Sequence, residues 1–461
     1  MKLKMFLLAA VIIFAFCACQ EPNVPKQPEN STDTIPKDTI PQDTIVLPED
    51  TIPEPIPNPI SDMETDYSPL NPSGLPTLRI NTNGQSVNSK DIWVSGVDYQ
   101  IFNKDRVLIF SGETEIKGRG NSTWDMPKKP YSLKLVQKKA ILGMPSHKRW
   151  ALLANYADKT LLRTEIGYKL GKIFDNMAWS PSAAQVNFYF NDEYQGVYQI
   201  SEAIKIDANR VNVNEISTSN PNGGFLVECD WRRGEIYNFP SNHSGYVWFN
   251  CSDPDKNLDA IIPGLGISLF SKIKNKILDV ENILYSENTN NFNAKAAVID
   301  MDSFIDYFFV NEIVKNVDAQ FALSVFMYYD PQTQKIHLGP IWDFDLGCGN
   351  SNYADSQYAT GWWIKDSPWF ERLFYHTDFK ALVKQRWAEK KLQVLDLLNF
   401  IDQRTAYIDK AQQQNFKKWT ILDKYVWPNS WVTGTYEGEI AQTKSWLLQR
   451  INWLDGAING L

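Results

Sequence analysis

Three separated stretches carry the residue types that chemistry on a phosphate needs. GPIWDFDLGCGN, residues 339–350, sets Asp343 and Asp345 one residue apart between a tryptophan and a glycine. Carboxylates at i and i+2 project to one side of an extended segment, so a strand end there would aim both at one ligand; a solvated turn is the alternative. Asp318 closes NEIVKNVD at the end of a helical pattern. IKGRGNSTWDMPKKPYSLKL, residues 116–135, reads as a strand, a glycine-bearing turn and a second strand holding Lys134. Gly118 and Gly120 would free the backbone to approach a phosphate, with Asn121 and Ser122 as donors and Arg119 as added charge. Taken alone, this piece reads equally as a tight turn, because no Gly-Lys-Ser/Thr opens a helix as a Walker loop requires.

The order of these pieces adds meaning: glycine turn, strand lysine, a helix with Glu165, then two separated acids. Protein kinases run in that order, with a lysine steadied by a helical glutamate gripping phosphates and two later acids serving the accepting hydroxyl and the metal. GRGNSTW, KKPYSLKL, RWALLANYADKTLLRTEIGYKLG, VNFYFNDEYQGVYQISEAIKI, NVDAQF and GPIWDFDLGCG, in this order over residues 76–450, resemble the CotH family of atypical secreted kinases first met as spore-coat proteins. The resemblance implies a reduced protein-kinase-like fold that uses ATP with Mg²⁺ or Mn²⁺ to phosphorylate serine or another hydroxyl on proteins outside the cytoplasm. Mapped onto this chain it makes Asp318 the catalytic acid, Asp343 the metal-binding acid with Asp345 in support, Lys134 the phosphate-gripping lysine and Glu165 its partner. Glu202, where a strand leaves the first lobe, would meet adenine or close a hydrogen-bond network.

The chain departs from the kinase pattern at one place. Five residues after the catalytic aspartate a kinase carries a metal-binding asparagine; here that position is Leu323, then Ser324, with no asparagine between Asp318 and Asp330. Gln320, Ser324 or Asp345 would have to substitute. The departure motivates a second reading, a catalytically inactive surface-tethered binding module. A third is a glycoside hydrolase built on paired carboxylates, although acids one residue apart fit poorly with the opposed geometry that reaction uses.

Positioning these residues requires an α+β chain in two lobes. Residues 76–256 read as a β-rich lobe with one helix over KTLLRTEIGYKLGKIF, whose Leu161, Leu162, Ile166, Leu170 and Ile173 recur at helical spacing. QVNFYFNDEYQGVYQISEAIKI reads as a hairpin turned at Asn191 to Glu193, while Asn155, Asp158 and Arg163 read as residues that cap and brace the helix. Residues 257–461 read as mostly helical, interrupted by a strand pair over SVFMYYD and KIHLGPIWDFD. A cleft between such lobes is where a ligand would lie.

The amino terminus, MKLKMFLLAAVIIFAFCACQ, has two lysines, a short apolar run and small residues beside cysteine, the layout of an export signal over residues 1–19. Cys19 resembles the lipidated cysteine of a bacterial lipoprotein, which would place the protein in the bacterial cell envelope with membrane attachment through an N-terminal lipid. Residues 20–75 repeat Asp-Thr-Ile with frequent proline, a spacer composition that disfavours helix and sheet. With 46 Lys and Arg against 54 Asp and Glu, the net charge of −8 disfavours nucleic acid as a partner. Four scattered histidines and the spacing of Cys229, Cys251 and Cys348 match no transition-metal pattern, though Cys229 and Cys251 form one possible disulfide pair in an oxidising compartment.

Overall fold

The computed structural model describes residues 73–286 and 292–461, which belong to one compact unit. The expected signal, Cys19 and nearly all of the proline-bearing spacer lie outside the described residues. No helix among the described residues is long and apolar enough to cross a membrane.

Seven strands close a barrel: β1 (Thr77–Asn81), β2 (Val94–Phe102), β3 (Leu108–Gly118), β4 (Tyr131–Ile141), β5 (Met144–Leu153), β6 (Ala183–Phe190) and β7 (Glu193–Glu202). Neighbours follow the order β1-β2-β3-β4-β5-β7-β6, antiparallel except where β1 meets β6 in parallel to complete the ring. Alternation fills it: Tyr131, Leu133 and Leu135 of β4 point inward with Trp150, Phe188 and Tyr198, while Ser132 and Lys134 point out. Asn191 and Asp192, at φ of 49° and 64°, make the two-residue turn that suits the twist of the β6–β7 hairpin. A short α1 (Ser122–Asp125) follows the glycine turn, and α2 (Arg163–Ile173) lies between β5 and β6.

A second sheet joins β8 (Phe225–Cys229), β9 (Asn238–Pro240) and β10 (Trp248–Asp253) to the later hairpin β11 (Val325–Asp330) and β12 (Lys335–Leu338), in the order β12-β11-β8-β10-β9. The two-lobe division expected near residue 256 therefore separates strands that the structure unites. Val227 and Cys229 sit opposite Met327 and Val325 in a fully buried layer, so burial fixes a pairing about 100 residues distant that local pattern does not reveal. Cys229 and Cys251 are free and buried in adjacent strands, facing Val325 and Phe249 and Val227 respectively, so the expected disulfide is absent.

Helices complete the unit: α3 (Leu269–Tyr285), α4 (Phe292–Val298), α5 (Met301–Val314), α6 (Pro368–Leu373), α7 (Thr377–Leu395), α8 (Leu397–Tyr407), α9 (Asp409–Lys418) and α10 (Tyr436–Asn459). Every residue of α5 from Ser303 to Val314 is buried. Its Glu312 pairs with Arg450 of α10 at 2.5 Å and accepts the backbone N–H groups of Trp363 and Lys365, so this buried charge is fully satisfied.

The contact that aims the acid-bearing loop lies on α2. A Cβ at Gly167 would stand 2.2 Å from the Phe344 ring, and one at Gly171 would stand 2.4 Å from Ile341 Cδ1. The bare face of α2 thus seats Ile341 and Phe344 of the 341–345 stretch. Next to it, Asp158 and Arg163 form a buried ion pair at 2.5 Å, and Arg163 Nε donates to the Gly347 carbonyl at 3.1 Å. Gly167→Ala is expected to lower stability by about 1–3 kcal/mol through overpacking, whereas Gly456→Ala, exposed and with nothing within 4 Å of its added methyl, leaves stability unchanged or raises it by up to ~1 kcal/mol. Urea unfolding of the two variants beside the parent protein measures both effects.

Candidate active site

β12 stops at Leu338, and the following residues leave the sheet. Asp343 has a φ of +66°, so the expectation that a strand end projects the acid pair is corrected: a left-handed residue turns Asp343 outward between the buried Ile341 and Phe344. Asn316 Nδ2 donates to the Asp343 carbonyl at 3.0 Å, and Asn350 Nδ2 donates to the Asp345 carbonyl at 2.8 Å and to that of Ala157 at 3.1 Å. The loop carrying both carboxylates is therefore held through its backbone carbonyls rather than through the carboxylates.

Asp318 arrives from the other side. α5 ends on Lys315 in the left-handed conformation, φ 49°, and the chain turns so that Asp318 enters the cleft that Asp343 and Asp345 also line. This cleft, about 550 Å³, is walled by Arg119, Gly120, Asn121 and Ser122 from the glycine turn, by Glu228 and Arg232 from and after β8, and by Ser324. The Arg119 guanidinium lies 5.0 Å over the Trp342 ring, which keeps it beside the acid loop. Arg232 forks onto Asp230 with bonds of 2.8 Å and 2.6 Å, and the Ser324 hydroxyl donates to Asp343 Oδ2 at 3.3 Å.

Burial in the cleft raises all four of its carboxyls, and neighbouring carboxylates add to the rise. Burial, then the Asp343 charge, pushes Asp318 up to about 7 against the pull of Arg232. Enclosure by the cleft raises Asp343, which is open to water at its mouth, and Arg119 and the Ser324 hydroxyl oppose that rise. Burial, then Asp343 and Asp318, raises Asp345. Glu228 is pushed up to about 8, by burial first and the Asp230 charge second. A cation or a bound proton would relieve this repulsion.

Several expected site residues fall elsewhere. Lys134 faces outward from β4 and pairs with its cross-strand neighbour Glu115 at 2.5 Å, outside the cleft lining. Glu165 is buried against α8, where Arg404 holds it with bonds of 2.7 Å and 3.1 Å. The expected Lys134–Glu165 pair does not form, because each side chain has a nearer opposite charge on the face it occupies. Gly118 makes room for Trp124, whose ring a Cβ would meet at 2.5 Å, and does not line the cleft; Gly120, at φ +80°, does. Glu202 accepts the Ser182 N–H at 3.0 Å through Oε2, its buried Oε1 has no partner among the described residues, and the cleft wall starts one residue later at Ala203. Of the three substitutes for the kinase asparagine, Ser324 and Asp345 face the cleft, whereas Gln320 donates to the Trp363 carbonyl at 2.7 Å and stays out of it.

Glu228 and Arg232 were not singled out from sequence. The only signal for Glu228 is an acid inside the apolar run GGFLVECDW; for Arg232 there is none. Among the described residues, no group of three or more His, Cys, Asp or Glu side chains is arranged to hold a metal by itself. Asp343, Asp345 and the Ser324 hydroxyl nonetheless suit a hard divalent ion of the Mg²⁺ kind, which takes one or two carboxylates and completes its shell with phosphate oxygens and water.

The raised carboxyl of Asp318 has a pH signature. Its native value of about 7 lies above the ordinary aspartate value of ~3.9, so the native state keeps a proton that the unfolded chain loses, and stability falls as pH rises through that window. Asp318→Asn is therefore expected to raise the Tm more at pH 8 than at pH 5, with no gain below pH ~4. Thermal unfolding across that range checks the trend.

No curated protein matches the chain. The family model for the CotH kinase protein matches residues 116–454, from the end of β3 through the glycine turn, Asp318 and the acid loop into α10. That span covers most of the chain and every cleft residue described above, and the protein belongs to the CotH kinase family.

Proposed function

We propose that the protein is an exported kinase that moves the γ-phosphoryl group of ATP to a hydroxyl of an extracytoplasmic protein, using Mg²⁺ or Mn²⁺, and that Cys19 carries the lipid that tethers it to a membrane of the cell envelope. The observation that supports this reading is the convergence, in one cleft, of Asp318 with Asp343 and Asp345 from a loop about 25 residues later, facing the arginine and the backbone of a glycine turn. Membership in a kinase family makes phosphoryl transfer the natural use of such a cleft.

The residues divide the work. Asp318, titrating near 7, is matched to taking a proton from an accepting hydroxyl at neutral pH. Asp343 and Asp345, with Ser324, would hold the divalent ion, which supplies positive charge where the transferred group develops negative charge. Arg119, braced on Trp342, and the backbone at Gly120 to Ser122 face the same space and fit phosphate oxygens. In this arrangement the gripping cation is Arg119, and Lys134 serves the barrel wall.

Leu323 favours a second reading, a binding module that has lost transfer, because it lines the cleft at the position of the kinase asparagine. The two readings separate cleanly in one set of assays. With Mg²⁺ and ATP, the parent protein is expected to gain thermal stability, since a ligand that binds only the native state raises the Tm. Asp343→Ala abolishes the shift, Arg119→Ala weakens nucleotide affinity by about 10- to 100-fold, and Lys134→Ala changes it by less than about threefold. Asp318→Ala keeps the shift and lowers transfer by about 10²–10⁴-fold. A nucleotide shift with no transfer in the parent protein selects the binding module.

A further inference from the structure

A second groove opens beside the cleft and shares a wall with it. Its volume is about 450 Å³, and Ser122, Met126, Tyr156 and Trp427 line both spaces. The remainder is mostly apolar and aromatic, from Pro127, Ile421, Tyr425 and Val426, with Asp125 and Lys424 as its two charged members. Tyr425 and Trp427 are 56 % and 51 % exposed, so they present faces of ring to solvent that no part of the described chain covers. Trp427 stacks on Tyr353, which itself lines the cleft, so the aromatic surface runs continuously from the groove to the acids. The segment after the glycine turn thus serves two spaces: its first residues face the phosphate side and Met126-Pro127 floor the groove.

A groove walled by tyrosine, tryptophan and proline suits an extended, proline-bearing peptide, which loses little freedom on binding and packs its rings against aromatic faces. Such a peptide is written in this chain. Residues 33–53 contain four Asp-Thr-Ile units, with threonines at 34, 39, 44 and 51, and proline follows isoleucine in three of them. Each unit offers a hydroxyl between an acid and an apolar Ile-Pro pair. Isoleucine and proline match the apolar part of the groove, and threonine the adjoining cleft.

We infer that the groove is the acceptor-docking subsite of this kinase and that its occupant is the Asp-Thr-Ile-Pro segment of a second copy of the chain, whose threonines are phosphorylated in trans. The inference rests on the kinase reading above. In the transfer, the threonine Oγ forms a bond to the γ-phosphorus of ATP, the bond from that phosphorus to the β–γ bridging oxygen breaks, ADP leaves with the electron pair, and the hydroxyl proton passes to the Asp318 carboxylate and on to water. Each event turns a neutral threonine into a group of about −2 charge at neutral pH, so the repeats would gain up to four such groups.

The test mixes two full-length proteins with Mg²⁺ and ATP. One, the donor, has intact catalytic residues and Thr34, Thr39, Thr44 and Thr51 all changed to alanine; the other, the acceptor, carries Asp318→Ala and native repeats. Phosphorylation sites are mapped by mass spectrometry. Phosphothreonine at those four positions of the acceptor is expected, together with a drop of at least tenfold when the donor also carries Tyr425→Ala, a groove residue outside the cleft lining. The Mg²⁺–ATP thermal shift of that donor stays as in the parent. Transfer by the donor to a proline-free serine peptide with none to the repeats overturns the inference and leaves the kinase reading standing. Phosphothreonine on wild-type chains but never on the acceptor overturns transfer in trans, and transfer indifferent to Tyr425→Ala overturns the groove as the docking subsite. No nucleotide shift in any variant removes the kinase reading and this inference together.

Discussion

The seating of Ile341 and Phe344 on the side-chain-free face of α2 is the constraint on which the site depends. Two apolar residues alternate with acids in a short loop, and the helix accepts the apolar ones only because Gly167 and Gly171 carry no Cβ. Once these rings and methyls are buried, Asp343 and Asp345 have to lie on the other side, toward the cleft. The cost of a left-handed aspartate and of several mutually repelling carboxyls is met by apolar packing and backbone hydrogen bonds that do not involve the carboxylates. Local strain is thereby concentrated where a ligand can relieve it.

Charge is used in two distinct ways around this loop. Asp158 with Arg163, and Glu312 with Arg450, are buried pairs in which each charge is neutralised and hydrogen-bonded; they tie α2, the acid loop, α5 and α10 into one body. Asp318, Asp343, Asp345 and Glu228 are left without such neutralisation, and all four are raised. Asp318, Asp343 and Asp345 thus lie together in a cleft with no cation among the described residues bonded to any of their carboxylates, which suits a positively charged or proton-bearing partner. Arg119 and Arg232 moderate the excess without cancelling it, which leaves room for both a cation and the anionic phosphates it would accompany.

The cleft gathers Asp318, Asp343 and Asp345, which the sequence sets in order, whereas Lys134 lies outside it, for a physical reason. Singly, Asp318, Asp343 and Asp345 read equally as turn or helix-end residues; their order after a glycine turn and a strand lysine, together with the resemblance to the CotH family, is what makes them stand out. The partner of Lys134 is not legible in this way, since strand pairing places Glu115 directly opposite it and that register is set by the barrel as a whole. The Gly118 position suggests room for a phosphate, and that room is taken by Trp124: glycine marks a close approach without saying of what. The assignment of β8 to β10 to the same lobe as the barrel failed similarly, as their sheet is completed by strands from residues 325–338. The α+β class, the hairpin at Asn191 and Asp192 and the helix over residues 163–173 were carried by local pattern and turn chemistry, which sequence displays directly.

In the proposed kinase, Asp343 and Asp345 would share one divalent ion with a nucleotide whose terminal phosphate faces Arg119 and Asp318. A crystal structure with Mn²⁺ and a non-hydrolysable ATP analogue, with diffraction recorded at the manganese edge, addresses it directly. The account predicts an anomalous peak within bonding distance of the Asp343 and Asp345 carboxylates, bridging to phosphate oxygens. Manganese and nucleotide bound elsewhere, with this acid cluster holding only water, would contradict it.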